Sequence, residues 1–313
     1  MSQFLVHLAL AFIFFLAVNW VGKHAVDLGY SSTTLFEEPN EAVALNLFIR
    51  VLSPAIFIVA VSAIFVAKNR PESRLDIFYV AVYYYIIRGI VIFALNRQQL
   101  VSWFRYFTYS ILGILSSYGA YIYLILPNRS LLPDLDASGN ELWLAIFAFL
   151  YAVTNKVVLS NEPSKRRKNN FVKYHYDMAK VRFGSTINDV THEKMVQLLI
   201  YSIIVFEDYC RPPLVRFAEN FVFWRKKRTT RIMQVMSERT LSDIESVRIG
   251  SKKIVDAWNA NKNLEEDTWI KIRKTIIDYN RDDDYVHRVS EIMEIIAKRA
   301  DRNFEPAYQA IWS

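Results

Sequence analysis

Long uncharged apolar runs alternate with short polar breaks through the first half of the chain. In the second half apolar residues recur at helical spacing among dense charge. A helix needs about 20 predominantly apolar residues to cross a bilayer. Five segments meet or approach this: 4–22, 42–67, 77–95, 106–126 and 142–159. The first lacks the basic leader of a signal peptide and is followed by four more, so it reads as a retained helix. The last is the weakest, with Lys156 near its end.

Beyond residue 160 the pattern predicts a polar basic linker, 161–170, and then a helical domain, 171–313. Its expected helices are 191–210 with Thr191 as N-cap, 212–228 with prolines in its first turn, 241–260, 265–280 and 285–304. Ser242 and Glu245 have the spacing of a capping box. Strand-like alternation is scarce. The expected class is all-α: a multi-span transmembrane domain of residues 1–160, then a mostly helical soluble domain.

Composition sharpens this division. The 313 residues are 53% apolar and 15% aromatic, which excludes a disordered chain. Residues 1–158 hold 10 Lys/Arg and 9 Asp/Glu, and residues 159–313 hold 28 and 22, so the net charge of +7 sits mainly in the second half. The single cysteine, Cys210, excludes an internal disulfide framework and a Cys-rich zinc site. No Gly-rich phosphate loop is present, and His175, His192 and His287 lack metal-ligand spacing. No metal or cofactor is expected. "DDD" (282–284) is expected as a solvated turn.

Basic residues near span ends set orientation. One side of the membrane would carry Lys68, Arg70, Arg74 and Arg129. The other would carry Lys23, Arg97, Arg105 and the run Lys165, Arg166, Arg167 and Lys168. The second side is richer, so the soluble domain is expected in the cytoplasm of a bacterium, beneath its inner membrane. The basic run also suits an anchor for anionic lipid headgroups. Arg50 and Arg88 fall inside expected spans. Arg50 is near enough to an end to snorkel. Arg88, in "YYYIIRGI", is expected to face a partner, a polar cavity or a pore, because lipid exposure there costs ~2.5–3.5 kcal/mol or more. The surrounding tyrosines, Tyr83, Tyr84, Tyr85, Tyr109, Tyr118, Tyr121 and Tyr123, suit helix–helix packing better than lipid.

Two candidate chemistries arise in the second half. "RTTRIMQV" (228–235) follows Glu207 such that Gln234 lies 27 residues beyond it. Glu207 and "IMQV" resemble the glutamate and Gly-x-Met-Gln signature of goose-type lysozymes and lytic transglycosylases. The resemblance implies a lysozyme-like fold with Glu207 as general acid and Met233 and Gln234 lining the sugar cleft. Arg231 stands in place of that family's glycine, and Asp208 where a serine is common. The other chemistry is anion binding. Arg225, Lys226, Lys227, Arg228 and Arg231 flank Trp224, Thr229 and Thr230, and "KYHYDMAKVRF" (173–183) interleaves Lys173 and Arg182 with aromatic rings. Guanidiniums, hydroxyls and rings together suit a phosphate-rich ligand with bases.

A small helical membrane domain joined to a basic soluble domain is similar to bacterial anti-phage membrane effectors, in particular the Hailong type, by architecture and charge. That resemblance implies an oligomeric channel gated by a nucleotide or short DNA, with four copies the number considered. The alternative is a membrane-anchored muramidase or transglycosylase-like enzyme using Glu207. A scaffold with neither activity is the third.

Overall fold

The computed structural model describes residues 3–24, 41–42, 46–127, 158–159, 162–219, 228–230, 232–233, 235–237, 241–261 and 267–311. The chain divides into two compact units. One comprises residues 1–93 and 100–165, the other residues 94–99 and 166–313.

Among the described residues, the first unit is built on four apolar helices. Helix α1 is Gln3–His24. Helix α2, Ser53–Ala67, follows a π-helical turn, Phe48–Leu52, just ahead of Pro54. Helix α3 is Tyr79–Ala94, and α4, Trp103–Ala120, runs into a second π-helical turn, Tyr121–Ile125. Three stretches are long and apolar enough to cross a membrane: Gln3–Gly22, Phe48–Ala67 and Trp103–Ile125. They match the expected spans 4–22, 42–67 and 106–126 closely. Within the second of these, Ala42 lies instead in a short strand, β1 (Glu41–Ala42).

The expected span 77–95 is cut to 16 helical residues. At 1.5 Å per residue that is roughly 24 Å, short of a hydrocarbon core of about 30 Å. Asp76 and Asn96 bracket it in the left-handed region, at φ 56° and 53°. A left-handed residue on either side ends helical continuation. Most of the expected span 142–159 lies outside the described residues. Its last two residues form strand β2 (Val158–Leu159), antiparallel to β1 with Glu41 opposite Leu159.

The core of this unit joins Phe14, Phe15 and Val18 of α1 to Ile58, Val80, Tyr84, Tyr85 and Tyr121. The packing role expected of the tyrosines holds for Tyr84, Tyr85 and Tyr121, which are buried; Tyr118 and Tyr123 are exposed. Gly113 is required by this packing. A Cβ there would collide with the Tyr85 hydroxyl, whose bond to the Arg50 carbonyl (2.5 Å) holds it in place.

The second unit opens with α5, Glu162–Val190. The stretch expected as a linker, 161–170, is thus helical from Glu162 onward. Lys and Arg are good helix formers, and Lys168 is not a headgroup anchor: it is buried in an ion pair with Glu291. Helix α6, Lys194–Cys210, is the centre of the unit, buried along nearly its whole length. A helix apolar on every side is a core helix or a membrane span. The buried polar groups of α6 are met inside the protein. Gln197 bonds the Asn188 side chain and the Thr191 carbonyl at 2.9 and 2.8 Å, and Ser202 bonds the Leu198 carbonyl. Thr191 is not the N-cap of α6. Its hydroxyl accepts from the Glu193 amide in the turn before the helix.

Helix α7, Pro213–Glu219, is followed by an antiparallel hairpin, β3 (Arg228–Thr230) with β4 (Val235–Ser237). Arg228 therefore belongs to a strand, where a helix was expected to run on to 228. The β-branched Thr229, Thr230 and Val235 favour pairing. Helices α8 (Asp243–Asn261), α9 (Thr268–Tyr279) and α10 (Asp283–Ile295) complete the bundle. A π-helical turn, a 3-10 turn and α11 (Glu305–Gln309) end it, breaking the helix expected at 285–304. The capping box forms: the Ser242 amide donates to Glu245 at 2.7 Å and the Glu245 amide to Ser242 at 3.1 Å. The acidic run 282–284 starts α10, with Asp282 accepting from the Asp284 amide.

Candidate functional site

A cavity of about 160 Å³ lies in the second unit, walled largely by α5, α6 and α7. Helical spacing explains who lines it. Tyr174, His175, Met178 and Arg182 fall at positions i, i+1, i+4 and i+8 of α5, one face of a 3.6-residue helix. Asp208 comes from the last turn of α6 and Arg216 from α7.

Asp208 organises the polar wall. One oxygen meets His175 Nδ1 at 2.8 Å, and the other accepts from Arg216 Nη1 at 2.7 Å. Arg216 also donates to the Arg211 carbonyl at 2.9 Å, which holds the turn between α6 and α7. Burial opposes ionisation of Asp208. The hydrogen bond from His175 and the charge of Arg216 outweigh it and hold the carboxyl below its usual range. At the rim, Arg182 donates to Asp243 at 2.7 Å, across to the first turn of α8. Its side chain is 56% exposed. A guanidinium has five N–H donors in a fixed fork, so one bond to Asp243 does not use all of them.

The expected ligand residues are not all brought together. Lys173 and Arg182 are nine residues apart on α5, two and a half turns, so they point to opposite sides. Arg182 reaches the cavity; Lys173 does not line it. Arg228, Thr229 and Thr230 form the backbone of β3. Arg225, Lys226, Lys227, Arg231 and Gln234 lie outside the described residues. Arg216, a half-buried cation lining the cavity, is not singled out by the sequence. It stands eight residues past Asp208, across a Pro-Pro turn, with no motif to mark it.

Glu207 occupies a different setting from its neighbour Asp208. It is 2% exposed, and its Oε1 accepts from the Tyr285 hydroxyl at 2.8 Å. The ring of Tyr285 lies 6.2 Å from that of Tyr279, and the Tyr279 hydroxyl donates to the Met233 carbonyl at 2.7 Å. Met233 is buried, its amide donating to Ser246 at 3.2 Å. Tyr285 and Tyr279 thus stand between Glu207 and Met233. Burial pushes both hydroxyls well above the usual tyrosine range, and the nearby Glu207 adds to this.

In the first unit, Arg50 and Arg88 share a tyrosine-rich cluster. Arg88 Nη1 donates to the Tyr84 hydroxyl at 3.0 Å. The Arg50 guanidinium stands 5.7 Å from the Tyr109 ring centre. The Tyr106 hydroxyl donates to the Tyr85 carbonyl at 2.5 Å.

No family model matches the chain, and no curated protein or solved structure matches it.

Proposed function

We propose that the protein is a membrane effector: an oligomeric channel, or a membrane-perturbing assembly, whose second unit is cytoplasmic and sets the gate by binding an anionic ligand. The ligand class is a nucleotide or short single-stranded DNA, and defence against phage is the setting. The observation that carries the reading is the cavity in which Arg182, Arg216 and His175 converge beside the ring of Tyr174. Guanidinium forks suit phosphate oxygens, and a ring suits a stacked base. At about 160 Å³ the cavity is below the ~300–1,000 Å³ of sites that enclose whole small molecules. It suits one phosphate or one base of a longer ligand.

The test is binding of a fluorescent single-stranded oligodeoxynucleotide to the detergent-solubilised full chain. Arg182→Glu weakens binding about tenfold or more, from loss of a charge-assisted bond. Lys173→Glu, on the opposite side of α5, leaves it nearly unchanged at physiological salt. Equal affinity of wild type and Arg182→Glu across a salt series rejects the site.

A second reading is glycosidic cleavage with Glu207 as acid and Gln234 in the cleft. It is supported by the placement of Tyr285 and Tyr279 between Glu207 and Met233. It requires muropeptide release from peptidoglycan that Glu207→Gln abolishes in a folded protein.

A further inference from the structure

Asn96 lines the same cavity as Arg182, Arg216 and His175. It comes from the short connection between α3, which ends at Ala94, and α4, which begins at Trp103. Residues Ala94–Gln99 are part of the second unit, whereas α3 up to Phe93 and all of α4 belong to the first. The cavity thus includes a residue whose chain neighbours on both sides run into apolar helices.

This connection is attached to the second unit by Arg97. Its guanidinium stands 4.9 Å from the ring centre of Tyr209, the neighbour of Asp208 in the last turn of α6. At that separation a cation is drawn to the ring. Asn96 takes the left-handed conformation, at φ 53°, which asparagine accepts better than most residues. Its side-chain oxygen accepts from Gln98 Nε2 at 3.1 Å, and among the described residues its side chain makes no other hydrogen bond. The amide nitrogen is a donor, the group a phosphate oxygen needs. The connection also holds buried polar atoms without a partner among the described residues: Arg97 Nε, Gln98 Oε1 and Gln99 Oε1. Such atoms are costly to leave unmet, so the connection's own bonds do not lock it in this one arrangement. A ligand shifts an equilibrium only through a difference in its contacts with the two states. A phosphate that accepts from Asn96 supplies such a difference. Helix α3 runs unbroken to Ala94, so a shift of the connection is a shift of the end of α3.

Resting on the reading of the cavity as a nucleotide site, we infer that Asn96 is a ligand contact, donating to a phosphate oxygen. We infer also that the connection Ala94–Gln99, held to α6 by Arg97, carries occupancy of the cavity to α3 and α4.

The experiment uses the purified full chain in detergent and the fluorescent single-stranded oligodeoxynucleotide. Asn96→Gly keeps the left-handed backbone and removes the side chain. It is expected to weaken binding about threefold to tenfold, the loss of one hydrogen bond. Where size-exclusion elution shows that it fails to fold, Asn96→Asp, which also tolerates that backbone, exchanges the donor for a repelling acceptor and must weaken binding. Transmission is read by a bimane label. Ser102, whose side chain makes no capping bond at the start of α4, is changed in Ser102→Cys and labelled in a Cys210→Ser background, Cys210 being the single native cysteine. Unlabelled oligodeoxynucleotide is expected to shift the bimane emission with the midpoint of its binding. Arg97→Gln is expected to leave the affinity nearly unchanged and to abolish the shift. Asn96→Gly or Asn96→Asp that binds as tightly as wild type overturns the contact. Binding without an emission shift, or a shift that survives Arg97→Gln, overturns the route through this connection while leaving the cavity reading intact. A wild type that does not bind, or binds independently of Arg182, overturns the cavity reading and the inference with it.

Discussion

Tyr285 donates its hydroxyl to Glu207 at 2.8 Å, tying the last turn of α6 to the first turn of α10. Both groups are buried, so the bond is made where water cannot replace it. Removing the hydroxyl in Tyr285→Phe leaves a buried carboxyl oxygen short of a donor. The expected loss is about 1–3 kcal/mol. Glu207→Gln keeps an acceptor and is expected to lose less. Thermal unfolding of the full chain in detergent, followed by intrinsic fluorescence, ranks the two. A larger loss for the glutamine variant contradicts the bond as described.

The same tyrosines set an alkaline limit. Tyr279 and Tyr285 have folded pKa values raised well above the usual 10.0. Their contribution to stability is complete below that value. As pH rises past 10, the unfolded chain releases protons that the folded one retains, and stability falls. The melting temperature is expected to drop from about pH 10 upward. Tyr285→Phe removes part of the slope. A melting temperature flat to strongly alkaline pH argues against it.

An acid limit comes from Asp208, whose pKa is held below 3.8 in the folded state. Its stabilising contribution is present above the unfolded value and is lost as pH falls through the lower folded one. Asp208→Asn is expected to flatten the acid side of the stability profile and to loosen His175 and Arg216. Stability measured from pH 5 down to pH 2 decides this. An unchanged acid slope in the variant removes Asp208 from the account.

Gly250 of α8 admits no side chain. A Cβ there would lie 2.8 Å from both Cβ and Sδ of Met233, which is itself buried. Gly250→Ala therefore presses Met233 from its seat. The overpacking cost is about 1–3 kcal/mol, more than the small gain of alanine over glycine in a helix. Gly250→Ala combined with Met233→Ala should recover part of the loss. A single variant as stable as wild type shows that the Met233 turn yields freely.

Much of the helical plan was legible. Long apolar runs read directly as α1, the helix ending at Ala67 and α4, because burial or lipid needs only composition and length. The capping box at Ser242 was equally local. Features that depend on distant residues were not legible. Lys168 belongs to a basic run in sequence, but its partner is Glu291, 123 residues away. The hairpin at Arg228 forms through cross-strand pairing that a basic, helix-favouring run conceals. Arg182 was visible as a cation among rings, whereas Arg216 and the shared carboxylate of Asp208 were brought to it only by the packing of α6 and α7 on α5.

The bond between Arg182 and Asp243 has a consequence for any occupant of the cavity. Arg182 already holds an anion, supplied by the protein itself and mounted on α8. A phosphate arriving at the rim is a rival to Asp243 rather than a newcomer to an idle charge. The affinity measured is then a difference between two partners, and Asp243→Asn should tighten binding while wild-type binding stays modest. Where the incoming anion prevails, the N-terminal turn of α8 loses the bond from Arg182 to Asp243. Occupancy is thereby written into the mechanical linkage between two helices.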